Sequence, residues 1–193
     1  ALRAWHYGSP EVVESPAGWF EFDASTGAIT GFNYAPGREN VVVPWEIGGV
    51  PVTTIGTEAF QMRGIVSVIA PQTVTVIGDY AFQDCYSLSS VSLPQVQTVG
   101  AYAFSYCNLL TSVSLPQAQT VGKGVFDACG WLASVNLPQV TAIGDRAFSS
   151  CYLLTSVHMG QNAPPEATEV FYGIDPPPTV YVTDPQATGW GAV

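Results

Sequence analysis

Four cysteines are the residues in this chain with the most chemistry to offer. Cys85, Cys107, Cys129 and Cys151 recur every 22 residues and are all the cysteines in the sequence. Such a column has three chemical uses: a metal site, disulfides, or a reactive thiol. Metal ligation asks for Cys-x2-4-Cys pairs or neighbouring histidines, and here each thiol stands alone in its copy of the spacing. A disulfide asks for Cβ atoms about 3.8 Å apart and inclined toward each other, whereas equivalent residues on adjacent strands lie about 4.8 Å apart with parallel side chains. The spacing therefore predicts buried, unpaired thiols serving as small apolar residues.

The other candidates for catalysis are thinner. His6 lies in an aperiodic stretch and reads as part of a solvated loop. His158 follows Ser156 by two residues, and a serine beside a histidine is the start of a nucleophile–base pair. No Gly-x-Ser-x-Gly elbow or oxyanion motif accompanies it, so it reads as ordinary surface. Asp79, Asp84, Asp127 and Asp145 fall on turns, while glycoside hydrolysis needs two carboxyls converging in one cleft. Asp23-Ala24-Ser25-Thr26-Gly27 offers oxygen ligands but lacks the carboxylate run of a calcium loop, and reads as a turn. Gln72, Gln95, Gln117, Gln139 and Gln161 each follow a strand end, and their amides are expected to bond along a ladder. The chain thus reads as a non-enzyme with no metal and no cofactor.

What positions these residues is a repeat. Gly56, Gly78, Gly100, Gly122 and Gly144 keep the same 22-residue step, as do Phe60, Phe82, Phe104, Phe126 and Phe148. Leu88, Leu110, Leu132 and Leu154 follow it too, then Val91, Val113, Val135 and Val157. A fixed period of this length marks stacked coils. Within a unit, Val91 and Leu93 alternate with Ser90 and Ser92, the period of a strand with one buried face. Pro94 ends the strand, having no N–H to extend a ladder. Gly100 is expected at positive φ in a corner, and Ala103-Phe104 in about one turn of helix. One coil cannot bury its own apolar face, so five or six coils must stack, like residue over like.

The ends depart from the pattern. Residues 1–18 read as an irregular segment, and residues 19–44 as an N-terminal cap built on a hairpin around Ser25-Thr26-Gly27. Residues 45–160 form the solenoid proper. Residues 161–193 form a degenerate last repeat, in which Val170-Phe171 echoes the Ala-Phe pair, and a closing segment with the strand Thr179-Val180-Tyr181-Val182. The chain starts at Ala1 with no leader-like segment and reads as mature or trimmed.

Composition narrows the partners. The 193 residues are 47% hydrophobic and only 10% charged, with a formal net charge of −10 and a single lysine, Lys123. That balance repels phosphate backbones and anionic lipid surfaces, which excludes nucleic-acid binding. No apolar run approaches the roughly 18 residues needed to cross a bilayer as a helix, so no membrane insertion is expected of this stretch.

The segments Val99-Gly100-Ala101-Tyr102-Ala103-Phe104-Ser105-Tyr106-Cys107 and Ile143-Gly144-Asp145-Arg146-Ala147-Phe148-Ser149-Ser150-Cys151, each followed by Leu-x-x-Val, resemble the BspA-like leucine-rich repeat family. The entry Ile47-Gly48-Gly49-Val50-Pro51-Val52 and the exit through Gly189-Trp190-Gly191 share the likeness. Departures are Arg63 near the cysteine slot of a coil one residue short, and Gly124-Val125 where the family has Ala. The resemblance implies a leucine-rich repeat solenoid, with a parallel sheet on the concave face and short helical or 3-10 turns on the convex side. It implies an extracellular protein, secreted or on a bacterial surface, acting in adhesion and protein binding with no shared catalytic motif. The expected partner is a host matrix or surface protein, or a glycan. The alternative is a spacer that presents neighbouring modules and has no ligand of its own.

For a binding role the residues of interest lie on the strands and just before them. Ser90, Ser112, Ser134 and Ser156 form one outward column, with Ser92, Ser114, Asn136 and His158 beside it. Upstream, Tyr86, Leu109, Trp131, Tyr152 and Leu153 set large side chains along one rim. Exposed aromatics on such a frame are what partners use; otherwise they pack over neighbouring coils.

Overall fold

The computed structural model describes residues 13–160 and 168–182. His6, Gln161 and the Gly189-Trp190-Gly191 exit lie outside the described residues, as do most of the irregular N-terminal segment and the end of the closing segment.

Each repeat folds into one coil carrying two short strands. The first strand column runs Asn40–Val42, Ser67–Ile69, Ser90–Ser92, Ser112–Ser114, Ser134–Leu137, Ser156–Met159 and Thr179–Val182. Its pairings are parallel and in register by repeat, Ser112 with Ser134, Ser134 with Ser156, and Ser156 with Thr179. The Ser-Val-Ser alternation does what period two demands. Val113, Val135 and Val157 are buried while the flanking residues face out. This column is split in two, a three-stranded sheet ending at Ser90–Ser92 and a four-stranded sheet starting at Ser112–Ser114.

The second column is continuous. Thr54–Ile55, Val76–Ile77, Thr98–Val99, Thr120–Val121 and Ala142–Ile143 pair in parallel behind the antiparallel hairpin Phe20–Asp23 and Ala28–Phe32, giving seven strands. The hairpin turn is held by Asp23, whose carboxylate accepts the Ser25 amide at 2.9 Å and the Thr26 hydroxyl at 2.8 Å. These bonds, with that of the Ser25 hydroxyl first, hold the Asp23 carboxyl below its usual range.

Between the columns runs the phenylalanine stack. Phe60, Phe82, Phe104, Phe126, Phe148 and Phe171 lie face to face with centroids 5.0–5.6 Å apart. Phe32 of the hairpin closes the N-terminal end 4.9 Å from Phe60. Seven rings therefore stack where the 22-residue step alone counts five, because the cap hairpin and the degenerate last repeat each add one.

The segments around these rings are turns rather than helix; the one short helix among the described residues is the 3-10 turn Ala17–Trp19. The cause is two left-handed residues per coil, Tyr80 and Asp84, then Tyr102 and Tyr106, Gly124 and Ala128, Arg146 and Ser150. A left-handed residue breaks a helix and turns alternate peptides to face the next coil. Tyr80, Phe82 and Asp84 donate their N–H groups to the carbonyls of Ala101, Ala103 and Ser105. Tyr102, Phe104 and Tyr106 donate in the same sense to Lys123, Val125 and Asp127.

Gly100 does not have the positive φ expected of it. The glycine column exists because the coils touch there. A Cβ on Gly78 would lie 2.6 Å from the Thr57 nitrogen, and one on Gly122 would lie 2.5 Å from that of Ala101.

Candidate functional site

All four cysteines are free and buried. Each thiol donates to the carbonyl of a phenylalanine in the preceding coil: Cys85 to Phe60 and Cys129 to Phe104 at 3.0 Å, Cys107 to Phe82 at 3.2 Å, and Cys151 to Phe126 at 3.0 Å. The column is therefore more than small apolar filling, since each sulfur also satisfies a carbonyl inside the core. Burial pushes the Cys85 and Cys151 thiols up to about 12, and raises those of Cys107 and Cys129 well above the ordinary range. Thiols so protonated are poor nucleophiles and poor metal ligands. Among the described residues no group of three or more His, Cys, Asp and Glu is placed to hold a metal ion.

The carboxylates do not converge; two of them tie coils together. Asp79 accepts the Ala101 amide at 2.7 Å, and Asp145 accepts the amide and hydroxyl of Thr168 at 2.7 and 2.8 Å. The amide bond from Thr168, more than any other contact, depresses the Asp145 carboxyl. Among the described residues the glutamine ladder does not form. Gln72, Gln117 and Gln139 are exposed and Gln95 is half-buried. The amide pair that does form is on the turns, Gln61 Nε2 to Gln83 Oε1 at 2.6 Å.

The first strand column presents an outward face without a charged side chain. Ser90, Ser92, Ser112, Ser114 and His158 are exposed, and Ser134, Asn136 and Ser156 are half-buried. Asn136 donates to the Ser114 hydroxyl at 3.2 Å, which links two coils across this face. His158 lies flat against Tyr181, with centroids 4.6 Å apart and planes 12° off parallel. Neither partner makes a catalytic contact with Ser156.

Just upstream, at the rim, Tyr86, Trp131 and Tyr152 stand 55%, 59% and 68% exposed, joined by exposed Leu109 and Leu153. They extend into solvent instead of packing over the next coil. Tyr86 also donates to Asp84 at 2.7 Å, a bond that raises its phenol and fixes the ring. Sequence reasoning missed Tyr106 and Tyr181, which are exposed along the same surfaces. Carrying the strand register on by 23 residues from His158 would have found Tyr181.

Stacked coils with a repeated Leu-x-x-Val strand, a parallel sheet and a buried phenylalanine column define a leucine-rich repeat solenoid. The chain belongs to the BspA type of leucine-rich repeat region, which matches residues 52–174 in six copies. No curated protein matches it. Among solved structures it is similar to a leucine-rich repeat protein of T. pallidum, at 29% identity and a TM-score of 0.72, covering 81% of this chain and 85% of that one. It is also similar to a leucine-rich repeat protein from Bacteroides ovatus, at 25% identity and a TM-score of 0.62, covering 77% of this chain and 48% of that one. The pneumococcal vaccine antigen PcpA shares the fold at 21% identity and a TM-score of 0.63, covering 89% of this chain and 42% of that one. The chain thus spans less than half the length of the last two. Among the described residues no helix is long and apolar enough to cross a membrane.

Proposed function

We propose that this domain is a non-enzymatic binding module of an extracellular or surface-exposed protein, contributing to adhesion. The observation that carries the reading is the rim, where Tyr86, Trp131 and Tyr152 stand exposed beside an uncharged strip of serines, Asn136 and His158. Tyrosine and tryptophan dominate the energetics of protein interfaces, and an uncharged strip costs little to desolvate compared with a charged one. The expected partner is a host matrix or surface protein, with a glycan as the other class this chemistry suits. The BspA-type repeat supports a protein-binding role, and the placement outside the cell rests on the same likeness.

The test is a binding screen of the purified chain against matrix proteins and glycans. A hit is then measured again with the Trp131→Ala, Tyr152→Ala double variant and across ionic strength. Affinity should fall at least about tenfold in the variant and change little with salt, because the contact is not charge-driven. Unchanged affinity would remove this surface from consideration.

A further inference from the structure

The split in the first strand column falls at one step. At every other step the residue entering the strand donates back to the coil before it: Ser67 to Glu39, Ser89 to Val66, Ala133 to Thr111, Thr155 to Ala133, and Thr179 to Thr155, at 2.9–3.2 Å. Thr111 makes no such bond to Ser89. On leaving the strand, Ala70 donates forward to Ser92 and Leu115 to Asn136 at 2.9 and 3.0 Å, and Leu93 makes no such bond to Ser114. No ladder pairs Ser90–Ser92 with Ser112–Ser114. The packing agrees, since Val91 is only partly buried while Val68, Val113, Val135 and Val157 are buried.

Elsewhere the same step is intact. Thr98 and Val99 pair with Thr120 and Val121. Gly122 donates to Val99 at 2.8 Å and Phe104 to Val125 at 2.9 Å. Phe104 stacks between Phe82 and Phe126 at 5.1 and 5.5 Å. One edge of the step is unzipped while the rest is fastened.

We propose that the solenoid hinges here. The spine is the continuous second strand column with the phenylalanine stack, and the outward face of the first column opens and closes like a book. The two blocks, one ending at Ser90–Ser92 and one starting at Ser112–Ser114, change their relative tilt. The curvature of the serine strip and rim changes with them, so one chain can fit partners of different radius. Packed elements move in this way through a few boundary residues while each block stays rigid. The inference concerns motion of the chain itself and stands whether or not the rim binds a partner.

Spin labels test it with a matched control. One pair is placed at Ser67→Cys and Ser134→Cys, the other at Ser112→Cys and Thr179→Cys. Each pair spans three steps of the same column, and the first alone crosses the open step. The native thiols are buried, so the labels go to the introduced ones. Pulsed electron–electron distance measurements should give a distribution about twofold broader for the first pair, as motion between blocks requires. Amide hydrogen exchange should also be faster across residues 110–116 than across 132–138. Equal widths for the two pairs would overturn the hinge. Faster exchange with equal widths would show a fixed gap, and would overturn it as well.

Discussion

Replacing Gly122 by alanine probes the reason for the glycine column. The added Cβ would lie 2.5 Å from the Ala101 nitrogen and the Gly100 carbonyl carbon, and 2.8 Å from the Ala101 Cα. All three are backbone atoms of the neighbouring coil and cannot rotate away. Restoring ordinary contact requires the coils to part locally by about 1 Å, which stretches the Gly122–Val99 bond from 2.8 Å beyond useful range. Overpacking costs about 1–3 kcal/mol. The Gly122, Thr120 and Gln119 amides bond to the preceding coil here, and each bond lost adds about 0.5–1.5 kcal/mol. With all three lost the sum is about 2.5–7.5 kcal/mol, a large part of the total stability of a domain. Urea titration followed by circular dichroism measures it. Gly130→Ala is the control, because nothing lies within 4 Å of its Cβ position and its φ is not left-handed; it should change stability by no more than about 1 kcal/mol. Gly122→Asn should be at least as damaging as alanine, since asparagine relieves a conformational demand and not a clash. A Gly122→Ala protein within about 1 kcal/mol of the native one would refute the close-contact explanation, and an asparagine rescue would restore the backbone one.

Phe104→Ala removes the middle ring of the stack and should cost about 3–5 kcal/mol, read in the same titration; a loss below about 2 kcal/mol would mean that the stack contributes less than its burial implies. Alkylation without reductant should modify none of the four thiols in the folded protein and all four after denaturation, by intact mass. The Cys85 and Cys151 thiols are held at about 12 against an ordinary 9, so their contribution to stability is complete below pH 9 and lost as the pH rises from 9 to about 12. The urea midpoint should therefore fall as the pH rises from 9 toward about 11, and less so in Cys151→Ala. Glu169→Gln breaks an ion pair with Arg146 whose side chains are about half exposed, and should shift the urea midpoint only slightly, with the difference vanishing at high salt.

The sequence was legible where one residue type did one job in every copy. Phe, Leu, Val and Cys each recur because each fills the same buried place, and the register followed from them. The left-handed turn positions carried no such mark. They hold Tyr80, Asp84, Tyr106, Ala128 and Ser150, side chains that do not announce positive φ, while the conspicuous glycines serve contact distance instead. The thiol bonds were hidden for a related reason, since a buried cysteine reads the same whether or not it donates. The rim residues were identifiable by type and place, but their exposure depends on how coils overlap, which spacing does not encode. The open step is the extreme case. Ser90-Val91-Ser92 and Ser112-Val113-Ser114 are the same three residues, and nothing local distinguishes the strands that pair from those that do not.

The peptide bonds on the turn side all point one way. The unit joining Ala81 to Phe82 accepts from Phe60 with its carbonyl and donates to Ala103 with its N–H, and the sense is kept down to Phe148 donating to Val170. Three units per coil are so aligned. In a parallel sheet the dipoles of successive bonds alternate and nearly cancel; here they add along the solenoid axis, as they do along a helix, but with the opposite polarity relative to the chain. The positive pole lies at the last coil, where Glu169 and Asp145 sit, and the negative pole at the N-terminal cap. Each further repeat lengthens this aligned array without changing its sign. The two ends of the turn side are therefore electrically distinct, while in the second strand column the amides of Gly100 and Gly122 point the other way, to the preceding coil.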